Sequence, residues 1–150
     1  MERSQKIRQI LVIDPHADHV QTIQNTLKQR NVDCEVVAIA QNAEAIAYLR
    51  RQGPYLNAPR PDLILLDINI TQEHSPQAGF EILTTIKAEP QLKRIPVVVL
   101  TLSGEDTLIF NSYALQGNCY VIKSSDLSQL AHLIGRIEEF WLGIVTLPSK

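Results

Sequence analysis

Four short runs of apolar residues punctuate the chain: Ile10-Leu-Val-Ile13, Leu63-Ile-Leu-Leu66, Val97-Val-Val-Leu100 and Tyr120-Val-Ile122. Unbroken runs of this length are the pattern of strands covered on both faces in a parallel sheet. A fifth run, Glu35-Val-Val-Ala-Ile39, alternates more and reads as an edge strand. Segments with helical spacing lie between the runs. Residues 17–30 place Val20, Ile23 and Leu27 on one face, and residues 42–51 do the same with Ile46 and Leu49 behind Asn42 as N-cap. Residues 80–88 offer Leu83 and Ile86 and stop near Pro90. Residues 105–116 offer Leu108, Ile109 and Leu115, with Gly117 as the C-terminal signal. A last helix is predicted from 126 to about 145, with Leu127, Leu130, Ile134, Ile137 and Trp141 on its apolar side and Ser125 or Asp126 as cap.

Strands alternating with helices in this way imply an α/β fold, a parallel sheet with helices on both faces and right-handed crossovers. The first strand–helix turn, Asp14-Pro-His-Ala-Asp18, holds no glycine, so a dinucleotide fingerprint and a P-loop are both absent. Five strands favour the flavodoxin-like, doubly wound order 2-1-3-4-5 over the Rossmann order. The 150 residues suit one domain, with no repeat or linker, a core over about 8–140 and a C-terminal extension over about 141–150.

Composition narrows the function classes. Apolar residues make up 45% and charged residues 20%, and the formal net charge is −2 with no long basic run. Binding to DNA or to a membrane surface by bulk charge is therefore not expected. The apolar run ending at Ile13 is too short for a signal-peptide core or a membrane span, and a cytoplasmic location is the expectation. Cys34 and Cys119 stand far apart, beside apolar runs, and read as buried free thiols.

Parallel sheets bind their ligands beyond the carboxyl ends of the strands. The first polar residue after strand one is Asp14, after strand three Asp67, after strand four Thr101, and after strand five Lys123. In the 2-1-3-4-5 order strands one and three are neighbours, so two carboxylates meet at the switch point. A hard cation such as Mg²⁺ would relieve their repulsion. One carboxylate is then a nucleophile for a phosphoryl group, with Lys123 and Thr101 supplying charge and a donor to the phosphoryl oxygens. The group Asp14, His16, Asp18 and His19 has the residue types of a transition-metal site, but its position in a loop and first helical turn predicts a solvated surface. His74 and His132 read as solvent-facing.

The stretches Ile10-Leu-Val-Ile-Asp14, Leu63-Ile-Leu-Leu-Asp-Ile-Asn69, Pro96-Val-Val-Val-Leu-Thr101 and Asn118-Cys-Tyr-Val-Ile-Lys123, in this order, resemble the receiver domain family of two-component response regulators. Pro59-Arg-Pro61 and the ending Glu138-Glu-Phe-Trp-Leu142 to Val145-Thr-Leu-Pro148 further resemble the single-domain regulators that serve cyanobacterial phytochromes. The resemblance implies that Asp67 is the phosphoacceptor. It implies that Asp14, Asp67 and the backbone carbonyl of Asn69 hold Mg²⁺, that Thr101 and Lys123 contact the phosphoryl group, and that Tyr120 is the aromatic switch residue paired with Thr101. It implies a sensor histidine kinase as phosphodonor, a phytochrome among the candidates, and output by protein contact, since the tail after about residue 145 is too short for a DNA-binding domain. Phe140, Trp141, Leu142, Ile144, Val145 and Leu147 exceed what one helix face must bury, which makes a homodimer the expectation.

Three departures from the family pattern stand out. Ile13 is read as occupying the first of the two adjacent acid positions, with weaker Mg²⁺ binding expected. The segment from Ile70 to Gly79 is roughly four residues longer than is usual, and Ser124 follows Lys123 where proline is customary. These departures keep a second reading open, a degenerate receiver that acts as a binding module without phosphate. A third reading is enzymatic. Asp67-Ile-Asn-Ile-Thr71 superficially resembles the nucleophile loop of haloacid-dehalogenase-like hydrolases, but Asn69 stands where their second acid belongs. A flavin site is disfavoured because no phosphate-binding loop follows strand one.

Overall fold

The computed structural model describes residues 7–30, 34–67, 77–101, 119–122 and 126–144. They form a parallel five-stranded sheet of β1 (Arg8–Ile13), β2 (Cys34–Ile39), β3 (Leu63–Asp67), β4 (Val97–Thr101) and β5 (Cys119–Ile122), in the order β2-β1-β3-β4-β5. The helices are α1 (Ala17–Gln29), α2 (Asn42–Leu49), α3 (Gln77–Ala88) and α4 (Leu127–Glu138), the last running on into π-type turns at Glu139–Ile144. The helix expected over 105–116, with Gly117, lies outside the described residues, as does His74. None of the described helices is long and apolar enough to cross a membrane.

The sheet separates two apolar layers, and strand alternation sorts the residues between them. Leu11, Ile13, Ile64, Leu66, Val97 and Val99 pack against Ala45, Tyr48 and Leu49 of α2 and Ile82, Leu83 and Ile86 of α3. Ile10, Val12, Leu63, Leu65, Val98 and Leu100 pack against Ile23 and Leu27 of α1 and Leu130, Ile134 and Ile137 of α4. Burying each large aliphatic side chain contributes about 1.5–3 kcal/mol, which is why the unbroken runs are the best-specified segments.

Helix ends differ in detail from the sequence expectation. Gln41, not Asn42, is the N-cap of α2, without a side-chain cap. α3 starts at Gln77, three residues before the expected start. Asp126 caps α4, its Oδ1 accepting from the Gln129 N–H at 3.0 Å. Leu127 is exposed, because it precedes the stripe set by Leu130, Ile134 and Ile137. Cys34 is only half buried rather than buried, since β2 is an edge strand.

Two side chains fasten the frame near its ends. Asp62 is buried, its Oδ2 accepting from the Gln9 N–H at 2.8 Å while its own N–H donates to the Gln9 carbonyl at 2.7 Å. Arg30, just past α1, donates from Nε to Glu138 and from Nη2 to Glu139, each at 2.6 Å, and so ties α1 to the end of α4.

Candidate functional site

The register of β1 and β3 builds the site. Ile13 pairs with Leu66, so the next residues, Asp14 and Asp67, leave the sheet at the same level. The Asp14 N–H donates to the Ile39 carbonyl at 3.0 Å, which holds the start of the loop against β2. Asp67 is paired with Leu100 of β4 and has no exposed surface. Asp14 is 2% exposed. Strand alternation directs both acids toward the α1 side of the sheet, because Ile10, Val12, Leu63 and Leu65 face that way.

His16 meets them there. Its N–H donates to Asp14 Oδ1 at 2.9 Å, an Asx-type turn that sets the corner before α1. Its Nδ1 lies 2.8 Å from the same oxygen and 3.2 Å from Asp67 Oδ2. A proton on Nδ1, assigned here from its acceptors, lets one imidazole bridge two carboxylates that would otherwise repel. His19, one turn into α1, stacks on the His16 ring with centroids 4.7 Å apart. His19 is only 4% exposed, which corrects the expectation of a solvated histidine surface. The reason is helical spacing: His19, Ile23 and Leu27 form the buried stripe of α1, and Val20 is only half buried. His132 on α4 is exposed as expected.

Ile13, the residue before Asp14, faces away from the two acids. Ile13 is fully buried on the opposite side of the sheet, among Leu11, Ile39, Leu66 and residues of α2 and α3. An acid at that position would point into the core. Pro15 follows Asp14 at the strand end and leads into His16. Thr101 ends β4 and Tyr120 lies within β5, one strand further across, at the register Thr101–Ile122 and Val99–Tyr120. Asn69 and Lys123 lie outside the described residues.

A divalent cation is part of what the family resemblance implies. Asp14 and Asp67 fit such an ion, since two buried carboxylates converge on one point with space shared by the His16 ring. The side-chain donor set is not all oxygen, however, because His16 and His19 offer nitrogen. Asp14, His16 and His19 each present a ligand atom within 4.8 Å of the others.

Two buried strand-end acids at the carboxyl end of a 2-1-3-4-5 sheet fit one class of domain. Residues 10–135 match the response regulator receiver domain, and the chain belongs to that family. Among curated proteins it is similar to the response regulator Rcp1 of Synechocystis sp. (strain ATCC 27184 / PCC 6803 / Kazusa), 44% identical over 140 residues that cover 93% of this chain and 92% of Rcp1. The crystal structure of the phosphorylated cyanobacterial phytochrome response regulator RcpA matches with a TM-score of 0.89 at 46% identity, covering 96% of this chain and 100% of that one. The Mn²⁺-bound form of Rcp1 matches with a TM-score of 0.87 at 42% identity, covering 95% and 99%. The chain is thus a receiver related to the phytochrome response regulators.

What sequence reasoning missed is the bridging role of His16. The signal was available in Asp14-Pro-His-Ala-Asp-His19, where two histidines at i and i+3 follow the strand-end acid.

Proposed function

We propose that this receiver is a phosphoacceptor switch, with Asp67 as the acceptor and Mg²⁺ as the activating divalent cation. The observation that carries the reading is the convergence of buried Asp14 and Asp67 on neighbouring strands at the carboxyl end of the sheet. A carboxylate oxygen of Asp67 attacks phosphorus, the bond from phosphorus to the imidazole nitrogen of the donor breaks, and that nitrogen keeps the electron pair. The cation offsets the charge of the phosphoryl oxygens when bound. Asp14, Asp67 and the Asn69 carbonyl are the assigned ligands. Thr101 and Lys123 are assigned to the phosphoryl oxygens, and Tyr120 to the switch that follows Thr101. The phosphodonor is a sensor histidine kinase, and the likeness to Rcp1 and RcpA supports a phytochrome in that role. Output runs through protein contacts, without DNA binding, membrane attachment or enzymatic turnover of a substrate, and a cytoplasmic site of action fits. Phe140, 51% exposed at the end of α4, supports a homodimer face there.

The test is labelling with acetyl phosphate across a Mg²⁺ series, followed by intact mass. Wild type is expected to gain one phosphoryl group and Asp67→Asn none. One observation favours a second reading, a phosphorylation-independent binding module: His16 bridges the two carboxylates. Absence of the adduct at every Mg²⁺ concentration would establish that reading instead.

A further inference from the structure

We propose that Asp14, His16 and His19, with Asp67, form a site for a nitrogen-preferring first-row divalent cation of the Zn²⁺ type, which they bind in preference to Mg²⁺. The proposal shares its carboxylates with the phosphoacceptor reading but does not require phosphoryl transfer.

The donor set carries the argument. Mg²⁺ demands oxygen ligands in a near-regular octahedron and is poorly served by imidazole, whereas imidazole suits Zn²⁺, Ni²⁺ and Cu²⁺. Here the strand-end acid Asp14 is followed by His16 and then His19, which add two nitrogens to the set. The ligand atoms of Asp14, His16 and His19 lie within 4.8 Å of one another, and His16 Nδ1 is also 3.2 Å from Asp67 Oδ2. A tetrahedral Zn²⁺ site with bonds of about 2.0–2.1 Å has neighbouring ligand atoms about 3.3–3.4 Å apart. The spacings of 2.8 Å and 3.2 Å around His16 Nδ1 are close to that edge length. Modest rotation of the two stacked rings would bring the remaining atoms into range.

The setting is also that of a built site. Asp14, Asp67 and His19 are all nearly inaccessible to solvent, which sets this group apart from an acidic surface cluster. Each residue is fixed by backbone structure: Asp14 by its hydrogen bond to β2, Asp67 by β3, and the histidines by the first turn of α1. His16 itself is about a third exposed, which leaves a route for an ion to enter. The nitrogen and oxygens that meet in the His16 bridge are the atoms that would ligate the cation.

The experiment is calorimetric titration of metal-free protein with Zn²⁺ and with Mg²⁺, for wild type, His16→Asn, His19→Gln and His132→Ala. Circular dichroism confirms that each variant is folded. Wild type is expected to bind Zn²⁺ at least about tenfold more tightly than Mg²⁺. His16→Asn and His19→Gln each lose about tenfold or more of the Zn²⁺ affinity and keep that for Mg²⁺, while His132→Ala, altered at an exposed histidine on α4, behaves as wild type. Co²⁺ as a probe should give visible absorption bands in wild type that fade in His16→Asn. Equal Zn²⁺ affinity in wild type and both site variants, or Mg²⁺ binding as tight as Zn²⁺, overturns the proposal. Acetyl phosphate labelling of Asp67 is scored separately, so a protein that takes Zn²⁺ through His16 but never the phosphoryl group refutes the phosphoacceptor reading alone.

Discussion

Gly135 lies directly beneath the guanidinium of Arg30: a Cβ built on Gly135 would sit 2.9 Å from Arg30 Nη1. The absence of a side chain in the middle of α4 is what lets Arg30 cross to Glu138 and Glu139. Those two hydrogen bonds, Glu138 first, hold the Arg30 pKa above its ordinary value. Glycine inside a helix costs about 1 kcal/mol relative to alanine. Gly135→Ala alone should therefore change stability little, because the helical gain is offset when the guanidinium shifts. In an Arg30→Ala background the same substitution should stabilise by about 1 kcal/mol. Urea unfolding of the four proteins measures the difference, and equal effects in both backgrounds would show that the close approach has no energetic consequence.

Ile13 and Pro15 should respond oppositely to aspartate. Ile13→Asp places an unpaired carboxylate in the layer formed with α2 and α3 and should cost roughly 4 kcal/mol or more. Pro15→Asp adds an acid at the open end of the strand, beside Asp14. It should leave stability nearly unchanged and tighten Mg²⁺ binding by roughly tenfold, the scale on which ligand charge tunes such sites. Denaturant unfolding and calorimetry provide the two readouts. A stable, Mg²⁺-tight Ile13→Asp protein would show that an acid at position 13 reaches the site rather than the core.

Tyr55 carries a pH dependence that can be traced to one partner. Its hydroxyl donates to the Glu44 carboxylate. That hydrogen bond is the largest cause of a pKa raised above 10.0, with burial and the Glu44 charge adding to it. A group with a raised folded value contributes stability below its unfolded pKa and loses it as pH climbs through the folded value. The contribution of this pair should thus be intact at neutral pH and vanish above the tyrosine range. An ultraviolet titration should find one phenol shifted upward in wild type and returned toward 10.0 in Glu44→Gln. No change on that substitution would mean that the contact is not formed in solution.

Asp62 should matter for the start of the sheet. Its carboxylate satisfies the Gln9 N–H, and its backbone returns a hydrogen bond to the same residue. Asp62→Ala leaves that amide without its side-chain acceptor and should cost about 1–3 kcal/mol. Thermal or urea unfolding checks the value, and hydrogen exchange should quicken at Gln9 first.

The strands were the most legible part of the chain, since coverage on both faces leaves runs such as Leu63-Ile-Leu-Leu66 with no polar residue to confuse the pattern. The same coverage hides which residue faces which layer. Ile13 belongs to such a run, and only the alternation against α2 and α3 shows which layer it faces. The acids Asp14 and Asp67 were legible because each is the first charge after such a run. His19 was not, because a histidine in a polar first turn gives no sign of burial until Ile23 and Leu27 fix the stripe. Asn69 and Lys123, read from the motif, fall outside the described residues.

The pairing of Ile13 with Leu66 has a consequence for how such a protein can diversify. Because the separation of the two strand-end acids is set by hydrogen bonds upstream of them, chain length can change downstream of Asp67 without moving either one. The segment from Ile70 to Gly79, expected to be longer than is usual, begins past that fixed point. Inheritance can therefore lengthen the sequence that follows while the acid pair stays where the sheet put it, whereas a single insertion inside β1 would swap the contents of the two layers.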